Sequence, residues 1–383
     1  MRKHIVFLLL FAVLLLPSCD HYQMKKRIAQ FEKEMDAYRT QTDNVGLSVV
    51  FIRNNKIAYV RHWGLRHIDS EEIMPDGTVK RTGLPMDDKT MLRVASISKT
   101  FTATGLLQLV EQGLISLQDD VSDLAGFPIR NPLYPDSVIT LEMLMSHTSS
   151  LNDDGGYNSY APGHGYMYCD RNYTIGGQIL ERISGERFDR YISRHIIEPL
   201  GLEGGFNVDS VDHTRLASLY QWNGERYIAR DDDAYSQRGE LLNDYELGKS
   251  AYLFSPASGL KMSALDLAKY VIMHMNYGYV SDSVRILSEA ISRDMQQPRS
   301  YVGDEHYGLG LLENGTYGDS IVLTGHLGGA YGMRGAIFFN PEEKYGFVML
   351  SNGAHDKENQ DENLVHAGTI RRMMKCFISP LSE

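Results

Sequence analysis

β-Branched and aromatic residues crowd Val45 to Arg53 and again Lys56 to Trp63, and the two runs meet at Asn54-Asn55. Both asparagines tolerate φ > 0, so the pattern predicts two strands joined by a two-residue hairpin turn. Before them, Met24, Ile28, Phe31, Met35 and Tyr38 recur at helical spacing, with Lys25, Lys26, Glu32 and Glu34 on the other faces. An amphipathic helix is expected there, behind a short tether. From Ser98 the period turns helical: Phe101, Leu106, Leu107, Leu109 and Val110 form an apolar stripe that Gly113 ends. Leu141–Ser146 and Tyr173–Ser184 keep the chain mostly helical to about Ser250, and Ala264–Met275 adds another helix. Strands return at Gly335–Asn340 and Tyr345–Asn352, a hairpin around Pro341-Glu342-Glu343-Lys344, before a closing helix over Asn363–Phe377. Sheet segments at both ends with helices between them predict an α+β fold. One antiparallel sheet is assembled from N- and C-terminal segments and flanked by helices, with a mostly helical lobe inserted over about residues 100–250. A cleft between sheet and lobe is the usual place for a site.

The first nineteen residues read differently. Arg2 and Lys3 precede an apolar run from Ile5 to Leu16, short for a membrane span and suited to a signal peptide. The run stops at Leu16-Pro17-Ser18-Cys19, which resembles a bacterial lipobox. Export is therefore expected, with Cys19 acylated and anchoring the mature protein to a membrane, at a periplasmic face or a cell surface. The chain then divides into a lipoprotein signal peptide (1–19), a tether and helix (20–43) and one large domain (44–378).

Charge and cysteine usage narrow the partners. A formal net charge of −11 without a basic stripe argues against nucleic acid. The 383 residues, 43% hydrophobic, allow a sizeable globular core. Beyond Cys19 only Cys169 and Cys376 remain, too few for a disulfide framework, and both are read as free thiols. No His-Glu-x-x-His or close His-x-His suggests a metal, and no glycine-rich phosphate loop suggests a nucleotide cofactor. No cofactor is expected.

The candidate chemistry lies in Ser96-Ile97-Ser98-Lys99. Residues i and i+3 share a helix face, so the Ser96 hydroxyl and the Lys99 amine become neighbours if a helix starts near Ile97. A serine hydroxyl needs a base, and a lysine shielded from water can have its pKa lowered enough to act as one. At the positive end of the helix, the Ser96 N–H can face a developing oxyanion. Two fixed residues are a weak pattern alone, and a capping serine beside a solvated lysine has the same spelling.

Other segments supply the corroboration. Gly46–Val50, Thr90–Lys99, the run Leu144-Met145-Ser146-His147-Thr148-Ser149-Ser150-Leu151, Pro162–Asp170, Ala257–Leu260, Ser263–Ala268 and Gly325-His326-Leu327-Gly328-Gly329 follow one another in order. Together they resemble the serine β-lactamase-related family of the class C type, which includes D-alanyl-D-alanine carboxypeptidases, D-aminopeptidases and esterases. The resemblance implies Ser96 as nucleophile, Lys99 as the partner sharing its proton, and Tyr168 as the second-motif tyrosine that moves protons to and from the leaving group. It implies an oxyanion hole from the Ser96 and Gly329 N–H groups, and substrate contacts from Asp170, His326, Leu327 and Gly328. Gly328 is expected to let a substrate backbone approach.

Three positions depart from the family text. Ser150 replaces a glycine. His326 stands where lactamases carry lysine, which weakens recognition of a β-lactam carboxylate. Asp170 replaces an asparagine, so an acceptor-only carboxylate stands where an amide could donate, and its charge would hold Lys99 as ammonium. Either Tyr168 carries the base duty or Asp170 selects a substrate offering a donor. The aromatic segment from Gly204 to Ser250, with Phe206, Tyr220, Trp222, Tyr227, Tyr235 and Tyr245, either roofs the cleft or packs on itself, and Asp231-Asp232-Asp233 is read as solvated. The expected function is an exported serine hydrolase forming an acyl-enzyme on Ser96 with D-amino-acid peptides, esters or amides. Acyl transfer to an alcohol acceptor and a non-catalytic penicillin-binding-like sensor are the alternatives.

Overall fold

A computed structural model describes residues 2–281, 283–302, 305–314, 321–355 and 365–378, with side chains from Tyr22 onward apart from residues 302, 305 and 314. It divides into two compact units, Asn44–His355 and a smaller one made from the two chain ends.

The Asn54-Asn55 turn forms as the pattern predicts, with both asparagines at positive φ (50° and 60°). It joins the strand Gly46–Arg53 to a second strand that continues past Trp63 to Ile73, and a third, Val79–Pro85, pairs with it at the sheet edge. On its other side Gly46–Arg53 pairs antiparallel with Tyr345–Ser351, placing Leu47 opposite Ser351 and Arg53 opposite Tyr345. The first and last strands of the unit thus meet in the interior of one nine-stranded sheet. From that pair the sheet runs outward through Met333–Asn340, Leu323–Ala330, Leu312–Asn314 and Glu305–Tyr307 to Ser300–Val302. Central strands that are buried along their length, such as Tyr345–Ser351, explain why their sequences read as continuous apolar runs rather than alternating ones.

The helix expected near Ile97 begins with a 3₁₀ turn, Ala95–Ile97, and continues as Ser98–Glu111. Its stripe is wider than the pattern implied: every residue from Ser98 to Leu109 is buried, polar ones included. Threonines survive there because each hydroxyl finds an acceptor: Thr100 bonds Ile97 O (2.8 Å), Thr102 bonds Pro256 O (2.8 Å) and Thr104 bonds Thr100 O (2.9 Å). Gly113 takes the left-handed conformation that ends the helix (φ 69°). The helix Asp170–Ser184 starts three residues before the apolar period suggests, which puts Asp170 in its first turn. Residues 204–250 are less helical than expected and carry the short strands Gly204–Gly205, Tyr220–Trp222 and Tyr227–Ala229.

In the smaller unit the helix Arg2–Gln41 lies against the helix Val365–Phe377, with Phe31 edge-on to Phe377 at 5.7 Å and the Arg372 guanidinium over the Tyr38 ring at 3.9 Å. The helix is continuous where a tether is expected, and the Cys19 side chain lies outside the described ones. Among the described residues, no helix is long and apolar enough to cross a membrane. Cys169 and Cys376 are buried free thiols.

One feature of the core bears on stability. His274, wholly buried against Tyr270 and Phe339, has no partner for either ring nitrogen, and burial pushes its pKa down to about 3. Burial and the nearby Lys99 push His326 down to about 3 as well. Both are neutral when folded, whereas the unfolded chain binds a proton at each below about pH 6.5. Unfolding therefore takes up protons, so stability is full above about pH 6.5 and is lost as the pH falls toward 3. The thermal midpoint is expected to drop between about pH 7 and about pH 5, by less in His274→Leu; equal midpoints in the wild type would contradict it.

Candidate active site

Ser96 sits in a turn bent sharply out of the strand Met91–Arg93, and the preceding Ala95 adopts φ +49°, a left-handed conformation that a non-glycine residue holds at about 1–2 kcal/mol. Tertiary bonds keep it there. The Val94 N–H donates to Leu260 O (2.8 Å) and the Leu260 N–H to Ser98 Oγ (3.0 Å), tying both ends of the turn to the segment Ala257–Leu260. That segment is drawn in because Gly177 leaves room for Pro256; a Cβ on Gly177 would stand 2.4 Å from the proline Cγ.

One helical turn on, Lys99 has no exposed side-chain surface. Its Nζ lies 3.1 Å from Ser96 Oγ, 2.6 Å from Asp170 Oδ1 and 3.1 Å from Ala257 O. Two of these partners can only accept. They occupy two N–H directions of the amine and leave the third toward the serine, where an ammonium donates and a neutral amine accepts the serine proton. Burial lowers the Lys99 pKa more than the facing Asp170 raises it. Asp170 is half exposed, so water reaches its outer oxygen while the inner one holds the lysine.

Tyr168 lies just before the helix Asp170–Ser184, with its ring centroid 4.7 Å from Lys99 Nζ and 36% of its surface exposed. The third-motif strand, Leu323–Ala330, crosses beside the Ser96 turn. A Cβ on Gly328 would stand 2.5 Å from Val94 O and 3.3 Å from Ile97 Cγ1. The space on the Cβ side of that glycine is therefore filled by the Ser96 turn itself, while Gly328 also lines the cavity beside Ser96. Gly329 has no atom within 3.7 Å of its Cβ position and faces outward.

His326 is placed beside Ser96 but differs in its role from the sequence expectation. It is 2% exposed, its Nδ1 faces Leu327 O and its Nε2 lies 2.7 Å from Tyr307 Oη. A carbonyl only accepts, so Nδ1 carries the proton and Nε2 accepts from the Tyr307 hydroxyl. The ring is neutral, and no imidazolium tunes Tyr168. Burial also holds the Tyr307 phenol protonated.

Ser96, Tyr166, Tyr168, Tyr307, Leu312, His326, Leu327, Gly328 and Gly329 line a cavity of about 250 Å³. The structure thus brings together the Ser96, second-motif and third-motif residues; Lys99 and Asp170 stand behind Ser96 rather than in the wall. Tyr166 and Tyr307 were not singled out from sequence. Tyr166 could have been, since it lies two residues before Tyr168 in an extended segment. Tyr307 enters only through sheet register, with Tyr307 opposite Leu312 and Leu312 opposite Gly325.

The aromatic segment 204–250 contributes none of the described residues of this cavity. Its aromatics pack locally, Phe206 on Phe188 (4.7 Å), Trp222 on Tyr227 (5.2 Å) and Tyr245 on Phe254 (5.7 Å). Buried Glu181 anchors it, accepting the Gly248 and Phe188 N–H groups (2.8 and 2.7 Å) and the Tyr245 hydroxyl. Of the acidic run, Asp231 is tied into the fold through Ser218 Oγ (2.6 Å) and the Leu219 N–H (3.0 Å). The segment helps line a larger cleft of about 650 Å³ with Arg66 and His67, where Ser218 Oγ lies 2.8 Å from His67 Nδ1; but Ser218 is buried and donates its proton to Asp231 (2.6 Å), so it accepts from the histidine and is not activated by it. Chemistry, not size, selects the smaller one. Among the described residues, no group of three or more histidine, cysteine or carboxylate side chains could hold a metal ion.

A family model described as Beta-lactamase matches residues 28–369. Penicillin-binding protein 4 of Amycolatopsis lactamdurans is 25% identical over 298 residues, covering 70% of this chain and 69% of that protein. The Staphylococcus aureus Protein flp is 20% identical over 80% of this chain, which spans only 59% of that protein's length. Among solved structures, the D-amino acid amidase of Ochrobactrum anthropi complexed with D-phenylalanine is similar at TM-score 0.68 and 19% identity, covering 92% of this chain and 98% of that one. The fold is thus the β-lactamase type expected from the sequence.

Proposed function

Since the chain belongs to the Beta-lactamase family, whose members are serine hydrolases, we propose that it hydrolyses esters and amides that carry no carboxylate, D-amino-acid amides among them, through an acyl-enzyme on Ser96. The observation that carries this reading is the 3.1 Å approach of buried Lys99 Nζ to Ser96 Oγ beside a cavity. A neutral Lys99 gives its two N–H groups to Asp170 and Ala257 O and turns its lone pair on the serine proton. Ser96 Oγ bonds the substrate carbonyl carbon while the proton passes to Lys99. The oxygen that becomes negative meets the Ser96 and Gly329 N–H groups, worth about 3 kcal/mol each in such sites. The proton returns through Lys99 and Tyr168 to the leaving nitrogen or oxygen, the bond to it breaks, and water releases the acid by the same steps reversed.

The substrate preference follows from the wall. None of the described lining residues carries a positive charge, His326 being neutral with both nitrogens engaged, and three tyrosines and two leucines face the space. Such a site favours a partly aromatic acyl group without a carboxylate over a carboxylate-ended peptide or a β-lactam. Incubation with a fluorophosphonate should add one adduct mass to the peptide holding Ser96. D-Phenylalanine amide and p-nitrophenyl acetate should exceed a D-alanyl-D-alanine peptide and penicillin by at least ~10-fold in kcat/KM. No adduct with any probe overturns the reading and leaves the binder. We further propose export and lipidation on the strength of Arg2, Lys3, the apolar run and Cys19. Labelled palmitate should enter the wild type and not Cys19→Ala.

Asp170→Asn gives a separate expectation. Removing the carboxylate takes away the main opposition to burial and lowers the Lys99 pKa further, so the lysine becomes a free base at a lower pH. The rising limb of the pH–rate profile should move to lower pH. An unmoved limb would assign the base duty to Tyr168 instead.

A further inference from the structure

The motif around His147 takes no part in the chemistry above, yet its contacts converge on Tyr168. His147 follows the short helix Leu141–Met145 with φ +60° and is fully buried. Its carbonyl oxygen accepts the Met167 N–H at 3.0 Å. Its Nδ1 accepts the Cys169 N–H at 3.1 Å and lies 3.1 Å from Asn172 Nδ2, whose own oxygen is taken by Ser149 Oγ at 2.7 Å. One residue thus holds the backbone on both sides of Tyr168. The imidazole ring also lies 4.4 Å from the Tyr168 ring at 31°, while Tyr307 meets it edge-on at 4.6 Å.

Because Nδ1 faces a backbone N–H, it must be an acceptor, which places the ring proton on Nε2. That nitrogen is buried without a hydrogen-bond partner among the tyrosine rings. Protonating the ring would aim a second N–H at the Cys169 N–H, and burial with Lys99 and His326 nearby holds the pKa well below the usual value. We infer that His147 is a positioning residue for Tyr168: a neutral clamp whose carbonyl and Nδ1 fix residues 167 and 169, and with them the tyrosine ring over Lys99. This rests on the proposed role of Tyr168 in proton return to the leaving group.

Two substitutions separate the clamp from backbone strain. His147→Asn keeps an acceptor where Nδ1 stands and tolerates φ > 0, whereas His147→Gly relieves the strain and removes the acceptor. An anilide needs its leaving nitrogen protonated and a p-nitrophenyl ester does not. His147→Gly should therefore lower kcat on D-phenylalanine p-nitroanilide by at least ~10-fold with KM little changed, spare p-nitrophenyl acetate, and be largely rescued in His147→Asn. In a Tyr168→Phe background the glycine change should cost nothing more. Amide hydrogen exchange supplies a readout independent of turnover: Cys169, bonded to the ring nitrogen, should lose protection in His147→Gly and keep it in His147→Asn, whereas Met167, bonded to the backbone carbonyl of residue 147, keeps its acceptor in both. Equal loss on both substrates, an undiminished loss in Tyr168→Phe, or unchanged exchange at Cys169 in His147→Gly would overturn the clamp. A wild type that turns over neither substrate would sink the hydrolase reading, with exchange still deciding the clamp. If the glycine variant does not fold, full anilide loss in a folded His147→Asn overturns it.

Discussion

Ser96→Ala is expected to take up no acyl or phosphonyl adduct, and Lys99→Met to acylate Ser96 at least ~10³-fold more slowly than wild type while folding no less well. The two halves of that outcome have different origins. The rate falls because the methionine leaves no basic atom near Ser96 Oγ, where the lysine amine stands at 3.1 Å. Stability holds because the lysine stem and head are wholly buried, and an unbranched apolar side chain of similar length fills that volume without the desolvation penalty of an amine. Asp170, left without its partner, is half exposed and regains water. Adduct mass followed against time, with the thermal midpoint beside it, reads both. A Lys99→Met protein that labels at the wild-type rate would remove the lysine from the mechanism.

Gly328→Ala is expected to lower both stability, by about 2–4 kcal/mol, and Ser96 labelling, by at least ~100-fold. The added Cβ would stand 2.5 Å from Val94 O, a backbone atom of the turn that carries Ser96. A carbonyl held within a 3₁₀ turn cannot swing aside as a side-chain end can, so the strand Leu323–Ala330 and the turn must part. In the proposed mechanism that movement separates the Ser96 and Gly329 N–H groups assigned to the oxyanion. Gly329→Ala supplies the contrast, because its nearest neighbour is 3.7 Å away and its thermal midpoint should stay close to that of the wild type. Equal midpoints for Gly328→Ala and wild type would show that the contact can relax.

The sequence carried the local signals well. Asn54-Asn55 announced its hairpin because both φ values there are set by the turn residues themselves, and Ser96 and Lys99 are neighbours in any helix that starts where their spacing says. The burial of the helix Ser98–Glu111 on all sides was less legible, since its threonines read as polar, and while Thr100 and Thr104 bond carbonyls of their own helix turn, Thr102 needs Pro256 O, 154 residues away. The start of the helix Asp170–Ser184 was read late for a related reason: its first turn is polar, so the apolar period is silent there.

Asp170 and His326 mark the boundary between the two kinds of information. Their residue types, written in the sequence, already told that an acceptor-only carboxylate and a non-lysine side chain stand in the second and third motifs. Their states depend on what surrounds them. Asp170 opposes the loss of the Lys99 proton, yet complete burial of that lysine, a property of residues 96–99 packed against Ala257, weighs more. His326 is neutral because burial, with Lys99 nearby, disfavours its charged form, while Tyr307, on a strand two places across the sheet, takes one nitrogen and its own backbone neighbour the other. Residue identity and short-range spacing determined the Ser96–Lys99 contact and the hairpin, since these need only the local backbone. Protonation, cavity charge and the hold of His147 on Tyr168 were decided by the tertiary structure, because desolvation and hydrogen-bond partners come from segments far apart in the chain.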